Sequence, residues 1–420
     1  MLDQLQALDI PIRTVIVGAG AMGKGLLYQT TLTPGIQCVA LADIRIERAV
    51  ACADAFGLPY RIVETLNDLH AAIRTGALAV CEDGDLLARC ELSDVFLESS
   101  NAILPAAQFA LAALEHGQHL VLMNAEIDLI FGPYLMKEAH HKGLVYTSCD
   151  GDQHGVIKRL VDDLRLWGFE LVMAGNIKGY LDRASDPTAI IPEADKRDLD
   201  YRMAAAYTDG TKLNIEMALV ANALGCRTDV PGMHGPRAAS VQDVFERFDL
   251  ETLWRDHRPV VDYILGAQPD GGVFAIGWQD NAYQGRMLRY YKMGNGPFYL
   301  FYRPYHLCHV EAMACVADAA LNGRSLLEPR HGLRTNVIAY AKTPLKAGKT
   351  LDGIGGYCCY GQIENTMDSN ASPGLPICLA DGVRLARDMA QGARIALADV
   401  VYDAQREDFQ LFDRAQSSGR

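Results

Sequence analysis

The chain has 420 residues, of which 50% are hydrophobic and 22% are charged, and its formal net charge is −13. This length exceeds one ordinary hydrophobic core and predicts two or three folded domains. The acidic balance argues against a nucleic-acid or anionic-membrane partner, because both require a basic surface. The first nine residues lack the basic cluster of a signal peptide, and no apolar run is long enough to span a bilayer, so we expect a cytoplasmic protein. Eleven cysteines without a CxxC pair predict reduced thiols.

The first motif is an apolar run at residues 15–17 that leads into Gly-x-Gly-x-x-Gly, formed by Gly18, Gly20 and Gly23. The first glycine allows a tight turn, the second lets a pyrophosphate approach the backbone, and the third lets the helix pack on the strand. Ala21 and Met22 then lie at the helix start, where backbone amides bind phosphate. The spacing predicts a dinucleotide-binding strand, turn and helix.

A second apolar strand, at residues 38–42, ends at Asp43. A carboxylate about 20 residues beyond the glycine motif is placed to bind the ribose hydroxyls of NAD. Arg45, two positions later, could accept the 2′-phosphate of NADP. The sequence does not decide between NAD and NADP.

Two further apolar strands, at residues 94–98 and 119–123, end in polar residues. Parallel sheets bind ligands at the carboxyl ends of their strands, so we expect the nicotinamide at these exits. The exit residues are Ser99, Ser100, Asn101, Asn124 and Glu126. Residues 1–148 therefore predict an NAD(P)-binding Rossmann domain with a doubly wound parallel sheet, within an α/β protein.

Residues 149–332 lack regular alternation of strand and helix, which predicts a central α+β substrate domain. Within it, Asp209-Gly210-Thr211-Lys212 opens an apolar helix, and Glu216 follows Lys212 by one turn. The alternative interpretation is a surface ion pair. The apolar flanks indicate a buried helix, where a lysine is rare without a function. We expect the alanine-rich helix at residues 309–322 to pack back on the Rossmann domain.

Residues 333–420 are turn-rich and predict a small, mainly β domain, with short β segments at residues 375–380 and 392–395.

The chain resembles known families along most of its length. Gly18-x-Gly20-x-x-Gly23, the exit at Asn124, the stretch 175–179 (Gly-Asn-Ile-Lys-Gly) and the helix bearing Lys212 resemble the homoserine dehydrogenase superfamily. Residues 345–351 (Leu-Lys-Ala-Gly-Lys-Thr-Leu) resemble the SAF domain. The combination, with residues 209–212 and 303–307, is similar to the 1-deoxy-D-xylulose 5-phosphate reductoisomerase-like family. Two departures weaken a homoserine assignment: Ala125 replaces the lysine of the Asn-Lys pair, and Asp209 lies three residues before Lys212 instead of four.

The resemblance implies conversion of 1-deoxy-D-xylulose 5-phosphate to 2-C-methyl-D-erythritol 4-phosphate with NADPH, a step of isoprenoid precursor synthesis. Lys212 would then be the proton donor, held by Asp209 or Glu216. Asp150 and Asp152 could hold Mg²⁺ or Mn²⁺, or could instead cap the helix that follows. The cations for a substrate phosphate would be Lys178, Arg183, Arg303 and His306. Arg303 could equally stack on neighbouring tyrosines.

Two alternatives remain open at this point. The chain could be a homoserine dehydrogenase-type oxidoreductase acting on another hydroxy-carbonyl or sugar-derived compound. It could also be a non-catalytic dinucleotide-binding sensor. A small-molecule substrate and a homo-oligomer are expected by analogy.

Overall fold

The computed structural model describes residues 1–196, 199–366 and 372–419. By contact density the chain divides into two compact units. The first unit comprises Met1–Gly155, Leu307–Glu328 and Leu411–Arg420, and the second comprises Val156–His306 and Pro329–Gln410. Among the described residues, none of the helices has both the length and the apolar character needed to cross a membrane.

The first unit is built on a seven-stranded sheet with the order β3-β4-β2-β1-β5-β6-β7, and all its strand pairs are parallel. Its strands are β1 (Ile12–Val17), β2 (Ile36–Ala42), β3 (Tyr60–Ile62), β4 (Leu78–Cys81), β5 (Val95–Glu98), β6 (His119–Leu122) and β7 (Tyr146–Ser148). The intervening helices are α1 (Leu2–Gln6), α2 (Ala21–Leu32), α3 (Ile46–Ala55), α4 (Leu66–Arg74), α5 (Gly84–Ala88), α6 (Leu104–Glu115) and α7 (Ala125–His141).

The register of this sheet brings three exits together. Val17 pairs with Ala42 on one side and with Glu98 on the other. The glycine turn, Asp43 and Ser99 therefore leave neighbouring strands at one edge, where the strand order reverses and parallel sheets bind ligands.

The second unit contains a four-stranded mixed sheet with the order β11-β10-β8-β9. Its strands are β8 (Glu170–Lys178), β9 (Val260–Leu265), β10 (Val273–Trp278) and β11 (Phe298–Arg303). The helices of this part of the chain are α8 (Gln153–Leu166), which begins in the first unit, α9 (Ile191–Asp195), α10 (Tyr201–Thr208), α11 (Thr211–Leu224), α12 (Val244–Arg247), α13 (Leu250–Leu253) and α14 (Ala282–Tyr290).

Two later helices, α15 (Cys308–Glu311) and α16 (Met313–Asn322), return to the first unit. Met313, Cys315 and Val316 join the hydrophobic core that contains Ile16 and Leu97 of the parallel sheet. Small side chains along α16 allow this close packing. The final helix, α17 (Glu407–Ser418), contributes its last turns, from Leu411, to the same unit.

The tail, which we define as residues 333–410, packs within the second unit. It forms two small antiparallel sheets, from β12 (Thr335–Ala341) with β13 (Cys359–Asn365) and from β14 (Arg384–Leu385) with β15 (Val400–Val401). The predicted α/β class is confirmed, with its Rossmann-like parallel sheet, mixed central sheet and small β tail. Two predicted β segments are present only in part: in residues 375–380 Pro376 forms a bridge to Ile338 but residues 377–379 form a 3₁₀ helix, and in residues 392–395 only Arg394 forms a bridge, to Tyr340.

Candidate cofactor and catalytic sites

The glycine motif forms a tight turn between β1 and α2. Gly18 has a φ of +97°, which favours glycine, and a Cβ there would lie 2.7 Å from the Ser100 nitrogen. A Cβ on Gly23 would lie 1.7 Å from the Gly18 carbonyl oxygen, so α2 packs directly on the turn. A Cβ on Gly20 would meet no atom of the described residues within 4 Å. The backbone is therefore closely packed at the first and third glycines and open at the second.

Asp43 connects the glycine turn to the exit of β2. Its Oδ2 accepts a hydrogen bond from the Ala19 nitrogen at 2.8 Å, and its Oδ1 accepts one from the Arg45 nitrogen at 2.9 Å. A carboxylate has about four lone-pair sites, so these bonds leave capacity for a ribose hydroxyl. Asp43 is buried, whereas Arg45 is exposed at the first position before α3.

The polar residues after β5 and β6 form hydrogen bonds that join neighbouring loops. Ser99 Oγ donates to the carbonyl oxygens of Val17 and Gly18, at 2.9 and 3.0 Å. Asn124 caps α7 by accepting from the Glu126 nitrogen at 3.2 Å, and it donates to the Ala102 oxygen at 2.7 Å. Ala21 and Asn101 are exposed, Met22 and Ser100 are half-buried, and Glu126 is buried in the first turn of α7. Their predicted cofactor contacts stay predictions.

Glu98, the last residue of β5, was not singled out by the sequence. It is fully buried, and its Oε1 accepts hydrogen bonds from both the nitrogen and the hydroxyl of Ser100. Burial raises the pKa of Glu98 to about 7, against the opposing effect of hydrogen bonds from Ser100 and Asn124. The only signal in the sequence is an acidic residue at the end of an otherwise apolar strand.

The second unit assembles buried charged groups around the start of α11. Asp209 precedes this helix, and its Oδ1 accepts the Thr211 nitrogen at 2.8 Å across Gly210, whose φ is +88°. Lys212 and Glu216 are 6% and 3% exposed, and every residue of α11 is buried. This burial contradicts the surface ion-pair interpretation. Charged side chains are seldom buried to this degree unless they are paired.

Lys178, at the end of β8, interacts electrostatically with the same carboxylates. Burial lowers the pKa of Lys178, while Glu216 and Asp209 act in the opposite direction. Burial also raises the pKa of Asp209, against the effect of Lys342, whose Nζ lies 2.8 Å from Asp209 Oδ2. Lys342 comes from the tail, and no pattern in the sequence singles it out. The charged cluster therefore comprises Lys178, Lys342, Asp209 and Glu216, which interact electrostatically, and we include the buried Lys212, which lies one turn before Glu216 on α11.

The predicted phosphate ligands other than Lys178 show mixed environments. The Arg303 guanidinium lies 4.3 Å from the centre of the Tyr305 ring, in agreement with the stacking alternative. Arg183 is exposed, with its guanidinium 5.8 Å from the Tyr360 ring. His306 is half-buried, beyond the end of β11. Their roles in binding a substrate stay predictions.

The proposed metal ligands lie in the first unit, before α8. Asp150 Oδ1 accepts the Gly151 nitrogen at 2.8 Å, and Asp152 Oδ1 accepts the Gln153 nitrogen at 2.9 Å. Both side chains are buried. These bonds are the turn and helix-cap contacts expected if the two aspartates cap α8 instead of binding a metal ion. They engage one oxygen of each carboxylate and give no independent support to a metal ion.

Residues 151–312 match a protein family described as "Oxidoreductase DRL, catalytic domain". This range includes Lys178, Asp209, Lys212 and Glu216. The chain is an oxidoreductase. The match confirms the predicted enzyme class and argues against a non-catalytic sensor. A comparison with curated proteins finds no match.

Several solved structures resemble the chain at low identity. A probable dehydrogenase from Thermotoga maritima is 10% identical, with a TM-score of 0.44 over 75% of this chain and 90% of its own. A homoserine dehydrogenase from Thiobacillus denitrificans is 15% identical, with a TM-score of 0.44 over 81% and 83%. The 1-deoxy-D-xylulose 5-phosphate reductoisomerase from Zymomonas mobilis, in complex with NADPH, is 16% identical, with a TM-score of 0.35 over 49% and 56%.

Proposed function

We propose that this oxidoreductase uses NADPH to reduce the carbonyl group of a small hydroxy-carbonyl compound. The observation that carries the proposal is the group of buried Asp209, Lys212 and Glu216 with the half-buried Lys178, inside the matched oxidoreductase domain. Reduction of a carbonyl develops negative charge on its oxygen, and a buried ammonium group can stabilise that charge and deliver a proton.

The first unit provides the groups that would hold the cofactor. The open backbone at Gly20 and the amides at the start of α2 suit the pyrophosphate, and Asp43 suits the adenosine ribose. The exposed guanidinium of Arg45 suits a 2′-phosphate, which favours NADPH over NADH. When bound, NADPH supplies a hydride to the substrate carbonyl carbon.

The second unit would supply the proton. Lys212 is the proposed donor, and Glu216, one turn later on α11, would hold its ammonium group. The lowered pKa of Lys178 makes its ammonium group a stronger acid than an exposed lysine. The two ammonium groups, of Lys212 and Lys178, can therefore serve one developing alkoxide, one as a proton donor and the other as a stabilising charge.

A finer candidate is the reductoisomerase reaction on 1-deoxy-D-xylulose 5-phosphate. It rests on the resemblance of residues 209–212 and 303–307 to that family. That reaction rearranges the carbon skeleton before reduction and would need a divalent cation, for which Asp150 and Asp152 are the proposed ligands. The broader dehydrogenase reaction requires no rearrangement.

The test is NADPH consumption by the full-length chain with 1-deoxy-D-xylulose 5-phosphate and with a panel of hydroxy-ketones, hydroxy-aldehydes and sugar derivatives. Each assay is run with Mn²⁺ and with a chelator, and products are identified by mass spectrometry and NMR. A rearranged product formed only with Mn²⁺ supports the reductoisomerase. Simple reduction of another compound supports the broader dehydrogenase. NADPH binding without oxidation of NADPH by any carbonyl compound would reject the proposal.

A further inference from the structure

The tail is joined to the helix that carries the proposed proton donor. The Gly361 nitrogen donates to Thr211 Oγ1 at 2.9 Å, and the Ile363 nitrogen donates to Asn214 Oδ1 at 2.9 Å. Farther along the helix, the Thr335 nitrogen donates to Asn222 Oδ1 at 2.8 Å. Side chains of α11 therefore accept hydrogen bonds from backbone N–H groups of strands β12 and β13.

These bonds and the charged cluster occupy different sides of α11. Successive helix residues are rotated by about 100°, so Thr211, Asn214 and Asn222 fall on one side. Lys212 and Glu216 fall together on another. The tail thus fixes the rotation of α11 through hydrogen bonds on a side other than the one that carries Lys212 and Glu216.

One tail residue reaches the cluster itself. Lys342, directly after β12, places its Nζ 2.8 Å from Asp209 Oδ2, and the two side chains are 1% and 0% exposed. The same ammonium group donates to the Ser185 oxygen at 2.6 Å and to the Gly356 oxygen at 2.8 Å. Its donors are therefore used within the protein, which makes it a poor candidate for direct contact with substrate.

The ion pair controls the charge on Asp209. A carboxylate this deeply buried becomes protonated if no cation compensates it. Among the described residues, the groups that interact electrostatically with Asp209 include Lys342, Lys178 and Cys359. Loss of the Lys342 charge would neutralise Asp209 and remove one of the two carboxylates that favour the protonated form of Lys178.

We propose that Lys342 is a positioning residue for the catalytic cluster, which holds the Asp209 carboxylate at the start of α11 and so preserves the charged state of the neighbouring lysines. Its role in catalysis rests on the proposed function, whereas its effect on the lysines does not. The tail would then be a working part of the catalytic unit.

The test compares Lys342→Met with Lys346→Met. Lys346 is an exposed tail lysine that pairs with Asp388 at 2.7 Å, so its replacement also removes a lysine–aspartate pair, but outside the cluster. Lys342→Met should lower kcat at least about tenfold, leave the KM for NADPH unchanged, and move the alkaline limb of the kcat profile to lower pH. Lys346→Met should change none of these quantities.

An activity-independent measurement accompanies the kinetics. The titration of Lys178 is followed by NMR of ¹³C-labelled lysine side chains, with its signal assigned from Lys178→Met. We expect the Lys178 titration to move to lower pH in Lys342→Met. If that variant does not fold, Lys342→Met/Asp209→Asn removes both charges of the pair and should show the same NMR shift.

Two results separate this proposal from the proposed function. Loss of thermal stability with an unchanged pH profile and an unchanged Lys178 titration would show that Lys342 is merely structural, and would overturn the inference. Absence of turnover in the unmodified protein would reject the proposed function, and the lysine titration would then decide the inference alone.

Discussion

The glycine turn of the first unit and the start of α11 in the second unit are built on opposite principles. At the glycine turn, the features that suit the pyrophosphate belong to the backbone, and the side chains of Ser99, Asn124 and Asp43 hydrogen-bond to the backbone of neighbouring loops and strand ends. At the start of α11, charged side chains from α11 and the tail are buried, and Lys178 of β8 interacts electrostatically with Asp209 and Glu216. A backbone site depends on local conformation, whereas a charge cluster depends on several distant segments being correctly packed.

The largest expected effect comes from the charge cluster. Replacement of Lys212 by alanine should lower kcat by roughly 10²- to 10⁴-fold, because the alkoxide loses its proton donor. The Kd for NADPH, measured by fluorescence, should not change, since the cofactor determinants lie in the first unit.

The matched control is Lys158→Ala. Lys158 forms an i,i+4 pair with Asp162 on α8, the same spacing that separates Lys212 from Glu216, but its side chain is 17% exposed and that of Asp162 is 51% exposed. We expect wild-type kcat from this variant. Equal kcat values for Lys212→Ala and Lys158→Ala would remove Lys212 from the mechanism.

The next-largest effect concerns Glu98, a buried residue of the first unit. It tests whether this carboxyl group is neutral in the folded protein. The pKa of Glu98 rises from 4.5 to about 7 on folding, so between these pH values the unfolded chain releases a proton that the folded chain retains. Stability from this group is complete below pH 4.5 and falls by about 3 kcal/mol as the pH rises through 7. Glu98→Gln should lose this pH dependence.

The measurement is urea unfolding at pH 5 and pH 8, with the result expressed as the difference between wild type and variant at each pH. Glu115→Gln is the control, because Glu115 is 63% exposed and pairs with Lys142 at the surface. If Glu98→Gln and the wild type differ by the same amount at both pH values, Glu98 is already ionised in the folded protein.

The same contrast explains what the sequence could predict. The glycine motif, Asp43 and the exits of β5 and β6 follow from short patterns, because turn geometry and strand ends are local properties. The short strands β3 and β4 were missed, since three or four residues carry little periodicity. Lys212 and Glu216 could be selected because their flanking residues are apolar. Lys342 could not, because its partner Asp209 lies 133 positions earlier and only tertiary packing joins them.

A smaller effect distinguishes two glycines of the same turn. Gly20→Ala places its methyl group where no described atom lies within 4 Å, so folding should be unaffected while the Kd for NADPH rises about tenfold, as the methyl group meets the pyrophosphate. Gly23→Ala drives its methyl group into the Gly18 oxygen and should lower the melting temperature as well. Calorimetry and NADPH titration measure both quantities. Equal melting temperatures for the two variants would contradict the packing described for this turn.

The smallest effect concerns the choice between NADPH and NADH. Arg45 is exposed, so its contact with a 2′-phosphate is screened by solvent and should contribute on the order of 1 kcal/mol. Arg45→Ala should therefore raise the KM for NADPH about fivefold and leave the KM for NADH unchanged, because only NADPH carries the 2′-phosphate. Asp43→Asn should weaken both cofactors, since Asp43 Oδ2 also fixes the Ala19 amide of the glycine turn. Steady-state kinetics with each cofactor, at two salt concentrations, measures the four values. Equal increases for NADPH and NADH in Arg45→Ala would assign cofactor recognition to the backbone and Asp43 alone, and the first unit would then have no role for a charged side chain in selecting NADPH.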